Sequence, residues 1–380
     1  MKRKLLLGTT ALVAGGVVAA DMAEAADPLR LEVRGYRNEA FGVVAVESDA
    51  DNQNFNNTNH RSDGEIHFRG STTLDNGIQV GVRVELEAFT NGDQIDENYV
   101  FLEGGFGRLT LGSDDPAPYI QAVVAPNVGA PINSGWLSDF IPQPAGFTTG
   151  AFSTTPEISI DDNMITYFSP RFAGFQLGLS YIPDLADSND NEAAFGDGEG
   201  NNATADDDDR HHGFATGINF TRSFNGIDVS AAGGFQIAPR SDENGTVIVD
   251  GEPVALSTGD QTVYAYNFGA NIGFGGFTFG GSWGGFDIDD EGANDGYHWD
   301  VGLSYETGPW GVSGTFIMGE REGDIAIDDE DESLGVAAAV SYVLGPGVKT
   351  AFTGYYADYD AENDDDGSGI GGVLSLRVDF

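Results

Sequence analysis

The chain has 380 residues, 61 of them acidic against 17 basic, for a formal net charge of −44, and it contains no cysteine. So acidic a surface cannot neutralise phosphates, which excludes nonspecific nucleic-acid binding. The missing cysteines exclude disulfides and thiolate-held metals.

Residues 1–25 read as a secretory signal peptide: Lys2, Arg3 and Lys4, an apolar stretch from Leu5 to Ala20, then small residues ending at Ala25. Residues 26–380 form the expected mature domain, with net charge −45 and Lys349 as its one lysine. No later segment reaches the roughly 18 apolar residues that a membrane helix needs, so any membrane crossing must use strands.

From Arg30 onward the pattern has a period of two. Leu31 and Val33 alternate with Arg30 and Arg34, Phe68 with Arg69, Val82 and Val84 with Arg83, and Leu109 and Leu111 with Arg108. Strand parity therefore turns these five arginines to one face, the lumenal one if the apolar face meets lipid. Lipid-facing arginine near mid-membrane costs roughly 2 to 4 kcal/mol, which favours the same placement. Arg37 breaks the parity and is assigned to a bulge or rim. The alternative role for the arginines is pairing with Glu32, Glu65, Glu85 and Glu87 in a filler ladder.

Residues 114–160 differ in composition, holding seven of the chain's fourteen prolines, with Asp139 the only charge between Pro116 and Pro156. A structureless loop of that length is functional or disordered. Its apolar residues, among them Ile120, Trp136, Phe140 and Ile141, argue against free solvation. We expect it to fold into the barrel, and an outer flap over a neighbouring subunit is the alternative.

Farther along, Phe175, Leu177 and Leu179, then Tyr264 to Phe274, Phe277 to Trp283 and Trp299 to Tyr305, repeat the alternation against small or polar partners. The last strand runs from Ile370 to Phe380. Seven tight turns are legible, at Asp75–Gly77, Gly104–Gly105, Pro170–Gly174, Asn225–Gly226, Gly275–Gly276, Gly308–Pro309 and Gly345–Gly347. Eight long polar connections lie between them, near 48–60, 90–96, 114–160, 185–210, 240–260, 287–296, 320–332 and 358–369. Fifteen connections make a sixteen-stranded antiparallel all-β barrel with both termini on the turn side. A soluble β-sandwich also alternates, but the small polar partners suit a wet lumen and the aromatics at strand ends suit membrane interfaces.

On the segments NYVFLEGGFGRLTLGSDDPA (Asn98 to Ala117), NMITYFSPRFAGFQLGLSYIP (Asn163 to Pro183) and the terminal LSLRVDF, the chain resembles the sixteen-stranded general diffusion porins of Gram-negative outer membranes, of the alphaproteobacterial type. The resemblance implies a homotrimer, a third loop that narrows the pore, and recognition of Phe380 by the barrel-assembly machinery. It also implies that Arg30, Arg34, Arg69, Arg83 and Arg108 face loop carboxylates, here Asp114, Asp115, Asp139 and Glu157. The family pattern expects an arginine on the strand after that loop, where this chain has Met164, Ile165, Thr166 and Tyr167.

Acidic runs at Asp206–Asp209, Asp289–Glu291, Asp328–Glu332 and Asp364–Asp366 fall in the long connections. They read as solvated charge, or as a negative vestibule whose carboxylates hold divalent cations such as calcium loosely against lipopolysaccharide. No cofactor is expected. The five histidines are scattered and no strand-to-helix elbow marks a serine, so the expectation is a channel and not an enzyme. The readings to separate are a passive diffusion pore, a channel specific for anions or sugars, and a barrel adhesin or anchor.

Overall fold

The computed structural model describes residues 28–48, 56–88, 95–133, 140–144, 153–156, 158–159, 162–184, 211–239, 246–249, 252–255, 262–288, 295–322, 330–361 and 366–380. The expected signal peptide, Asp139, Glu157 and most of the acidic runs lie outside the described residues.

In chain order the elements are β1 (Arg30–Ser48), β2 (Thr58–Thr73), β3 (Gln79–Glu87), β4 (Asn98–Gly104), β5 (Gly107–Ser113), the single-turn α1 (Ala117–Ile120), β6 (Asn163–Phe168) and β7 (Phe175–Asp184). They continue with β8 (His211–Phe224), β9 (Ile227–Pro239), β10 (Thr246–Val249), β11 (Glu252–Ala255), β12 (Thr262–Phe274) and β13 (Phe277–Ile288). The last are β14 (Gly296–Thr307), β15 (Trp310–Glu322), β16 (Glu330–Gly345), β17 (Val348–Asp360) and β18 (Gly367–Asp379).

Sixteen of these strands close one antiparallel barrel in which β1 pairs with both β2 and β18. Closure leaves no unpaired edge, the condition for strands to cross lipid. The chain end seals the seam: the Gly35 N–H donates to the Phe380 carbonyl at 3.0 Å, and the Phe380 N–H to the Gly35 carbonyl at 2.9 Å. The remaining pair, β10–β11, is a separate hairpin inside the connection that the sequence reads as one polar loop. The β-branched run Thr246 to Val249 explains it.

All seven tight turns stand at one end. Asn225 and Gly226 have φ of 52° and 84°, and Gly275 and Gly276 have 60° and 88°. Two consecutive left-handed residues make the turn that matches strand twist, which is why Asn-Gly and Gly-Gly occupy these corners.

Burial is inverted relative to a soluble protein. Along β12, Phe268, Ile272 and Phe274 are more than half exposed, whereas their strand neighbours Ala265 and Asn267 are buried. The same exposed apolar face continues through Phe277 and Phe279 of β13 and Leu374 of β18. Near the turns it ends in aromatic pairs, Phe277 with Tyr305 at 4.4 Å and Trp310 with Tyr342 at 4.6 Å, as a membrane-interface girdle requires.

Arg37 corrects the sequence reading. The register through it is continuous on both sides, opposite Gly64 and Val378, so it lies at no bulge. It sits on the outward face midway along β1, ion-paired with Glu39, which also binds His60 at 2.8 Å and Ser62 at 2.7 Å. Four polar side chains satisfy one another there, which offsets part of the cost of leaving the lumen.

Candidate functional site

The inner faces of β1, β2 and β3 read as rungs in register. Starting at the turn side they are Arg30 with Ser71 and Gly81, Glu32 with Arg69 and Arg83, Arg34 with His67 and Glu85, and Tyr36 with Glu65 and Glu87. Arg108 of β5 faces the same space. The structure thus brings all five predicted arginines onto one wall, where they line a common cavity with Glu32 as its one carboxylate.

The arginines are also laced into pairs, so the ladder and the wall coexist. Arg34 meets Glu32 at 2.7 Å, Arg108 meets Glu103 at 3.4 Å, and Arg83 contacts Glu85 and lies 3.7 Å from Glu97. Such pairs contribute about 0 to 1 kcal/mol when solvated, so they fix orientation more than stability. Tyr99, which the sequence reading passed over, joins two arginines: its hydroxyl accepts from Arg83 at 3.1 Å and from Arg108 at 3.5 Å. Arg108 also stacks on Phe101, 4.2 Å from the ring centre.

His67 lies 2.6 Å from Glu65 and 2.9 Å from Glu85, a donor set that could suggest a metal. Arg69, which can only donate, bonds His67 Nδ1 at 3.1 Å, so neutral His67 carries its proton on Nε2, between the carboxylates. The set is closed by that proton and fits a hydrogen-bond chain better than a cation.

The connection between β5 and β6 is positioned by inner-face residues around the opposite wall. The Ala117 N–H donates to Ser180 Oγ at 2.9 Å, Asn219 Nδ2 to the Gln121 carbonyl at 3.0 Å and Asn271 Nδ2 to the Val124 carbonyl at 3.0 Å. Val128 N–H donates to Ser313 at 3.1 Å and Ala130 N–H to Thr353 at 2.9 Å. Ile132, Phe140 and Ile141 then pack with Ala40, Val44 and Tyr355, closing against β1 and β17.

Asp300 of β14 ties the two limbs of this connection together. It is 3 % exposed and accepts from the Ala125 N–H at 3.2 Å, Asn133 Nδ2 at 2.6 Å and the Ser282 N–H and Oγ at 2.5 and 2.7 Å. Asn133 in turn receives the Thr154 N–H of the returning limb at 2.9 Å. The same face of β14 also carries His298, Gly302, Ser304 and, at the turn end, a second carboxylate, Glu306, so no local pattern singled Asp300 out.

Of the four predicted loop carboxylates, Asp114 and Asp115 are described. Both line a second cavity with Arg83, Tyr99, Arg108 and Tyr119. Asp114 is buried, and desolvation, reinforced by Glu97 and opposed by Arg83, pushes its carboxyl up to about 7. Burial also raises Glu97. The arginine missing from β6 has a steric reason. The inward residues Met164, Thr166 and Phe168 are buried, and Thr166 bonds Ser180, the residue that anchors Ala117, so the middle of this face is closed to a long charged side chain.

A closed sixteen-stranded barrel, apolar outside and lined by charge within, defines a membrane-spanning channel of the outer-membrane type. The sequence matches the Gram-negative porin family over residues 8–364, and the chain belongs to that family. It is therefore an outer-membrane protein. No curated protein matches it by sequence alone. Among solved structures it is similar to OmpT of Vibrio cholerae, folded in vitro in its trimer form, at a TM-score of 0.60 and 11% identity, covering 93% of this chain and 100% of that one. The anion-selective porin of Comamonas acidovorans gives 0.57 and 18%, covering 93% and 100%, and the DcaP channel of Acinetobacter baumannii gives 0.62 and 10%, covering 93% and 97%. Identities this low establish likeness of fold.

Proposed function

We propose that the protein is a passive, non-enzymatic diffusion channel for small hydrophilic solutes and ions, with the β5–β6 connection folded into the bore to narrow it. The observation that carries this is the wall of five arginines along one cavity, two of which, Arg83 and Arg108, also line a second cavity with Asp114 and Asp115. In this reading Asp139 and Glu157 add to the loop's charge, and solutes are filtered by size at the connection and by charge against the wall.

A substrate-specific channel for anions is the second reading, favoured by the ratio of five arginines to one carboxylate in the first cavity. The Comamonas porin is anion-selective by name. An adhesin or anchor would instead keep a plugged lumen. We further propose a homotrimer that meets through the outward Arg37–Glu39 cluster, because that cluster needs protein and not lipid against it. The exposed, terminal Phe380 is the assembly signal, and lipopolysaccharide and divalent cations are partners at the outer loops. Single-channel recording of the refolded protein tests the central claim. Stepwise current, ohmic in about 1 M salt, is expected, and none at all overturns it. Saturable block by one solute class would favour the specific channel.

A further inference from the structure

The rungs of β1, β2 and β3 change sign along the bore. On the turn side stand Arg30, Arg69, Arg83 and Arg108, with Arg34 at the border. The carboxylates among them, Glu32 and Glu103, are each held by an arginine. Toward the loop side come Glu85 and Glu97, both paired to Arg83, then Glu65, Glu87 and Asp96, with Asp63 and a single cation, Arg61, farther along the same face of β2; the backbones of Asp96 and Glu97 bond Glu85 at 3.1 and 2.8 Å. Four residues separate Arg69 from Glu65 and Arg83 from Glu87, about 13 Å along a strand.

We infer that the pore is a bipolar junction that passes current preferentially in one direction. This rests on the channel reading above and adds a direction to it. The argument is electrostatic. At about 0.1 M salt the screening length is about 10 Å, so each zone imposes its own counter-ion on the adjacent bore. The acidic zone then admits cations and the basic zone admits anions.

Polarity decides the outcome. When the loop side is positive, cations enter through the acidic zone while anions enter through the basic zone. Both collect at the junction and conductance rises. When the turn side is positive, each ion must enter through the zone that repels it, the junction empties, and conductance falls. At about 1 M salt the screening length shrinks to about 3 Å, the zones reach only wall-bound ions, and the asymmetry disappears.

The test is the current–voltage curve of single channels in a planar bilayer. The chain has no cysteine, so Asn57→Cys gives one thiol on the loop side, and a membrane-impermeant polymer-maleimide added to one chamber reports the orientation of each insertion. In 0.1 M KCl we expect about twofold more current with the loop side positive, falling to a ratio of about one in 1 M KCl. Glu65→Gln with Glu87→Gln, and separately Arg69→Gln with Arg83→Gln, should each bring the 0.1 M ratio toward one. Equal currents at both polarities in 0.1 M salt, the opposite preference, or an asymmetry that persists in 1 M salt would overturn the inference and leave the channel reading intact. The salt series on the otherwise unaltered chain decides even if a double variant fails to assemble. Absence of any current would remove the channel reading itself.

Discussion

Replacing Asp300 with alanine should loosen the β5–β6 connection without opening the barrel. The wild-type carboxylate receives the Ala125 N–H, Asn133 Nδ2 and the Ser282 N–H and hydroxyl while 3 % exposed. Hydrogen bonds to a charged group contribute about 1.5 to 3 kcal/mol each, and a buried donor left alone costs about as much. Two of the four donors have a second partner: Thr154 Oγ1 lies 2.6 Å from Asn133 Nδ2 and 2.5 Å from Ser282 Oγ. The net loss is therefore that of about two donors, about 3 to 6 kcal/mol. Both limbs of the connection feel it, because Asn133 links Ala125's side of the clasp to Thr154. At about 1.4 kcal/mol per decade, the detached population rises by two to four decades. Single-channel records should show added open-channel noise and excursions to higher conductance, with normal gel migration of the folded barrel. Asp300→Asn keeps one acceptor oxygen and should fall between. Wild-type noise and conductance in Asp300→Ala would refute the clasp and, with it, the placement of the connection against β14.

Two further outcomes follow from other groups. Because Asp114 titrates near 7, it is neutral below that pH and negative above it. The reversal potential in a KCl gradient should move toward anion preference as pH falls from about 8 to about 6, while Asp114→Asn should hold the low-pH value throughout; an unchanged pH response in the variant would sink this. Arg37→Leu combined with Glu39→Leu makes the outward face of β1 acceptable to lipid, relieving about 2 to 4 kcal/mol per lipid-exposed cation. The oligomer fraction on unheated gels should drop relative to monomer, and an unaltered fraction would show that copies meet elsewhere.

The strand count was legible because two local signals agree at several corners. Residues at φ above 50° favour Gly or Asn, as at Asn225–Gly226 and Gly275–Gly276, although Ala173 takes 53° in the Pro170–Gly174 turn, and side-chain alternation restarts after each. Parity was sufficient to orient Arg69 and Arg83 because β2 and β3 carry no bulge between them. It held at Arg37 as well, which keeps the outward face of Leu31 and Val33; a bulge answers only the cost of that placement, which Glu39 in its own strand and His60 and Ser62 across the next one offset. Such cross-strand satisfaction is invisible until the register is known. Tyr99 and Asp300 were missed for a related reason. Their roles arise from partners 16 and up to 175 residues away, and nothing local marks them.

The small inner-face residues had a different reason from the one their chemistry suggested. Gly, Ser and Thr opposite a lipid face read as the lining of water, yet on β7 through β18 and on the loop half of β1 many of them are the bed of the β5–β6 connection. A Cβ on Gly269 would overlap the Val123 carbonyl, one on Gly284 the Thr154 carbonyl, one on Gly42 the Phe140 ring, and one on Gly369 would lie 2.8 Å from Ile141. Backbone can approach a strand that closely only where the side chain is absent. The glycines therefore mark where the lumen is filled. The arginine and glutamate rungs of β1 to β3, with Arg108 of β5, mark where it is open, because a solvated charge needs the space that a packed loop would take. Side-chain size around the barrel therefore maps its interior: small residues lie under the connection, and large charged ones line the open cavity.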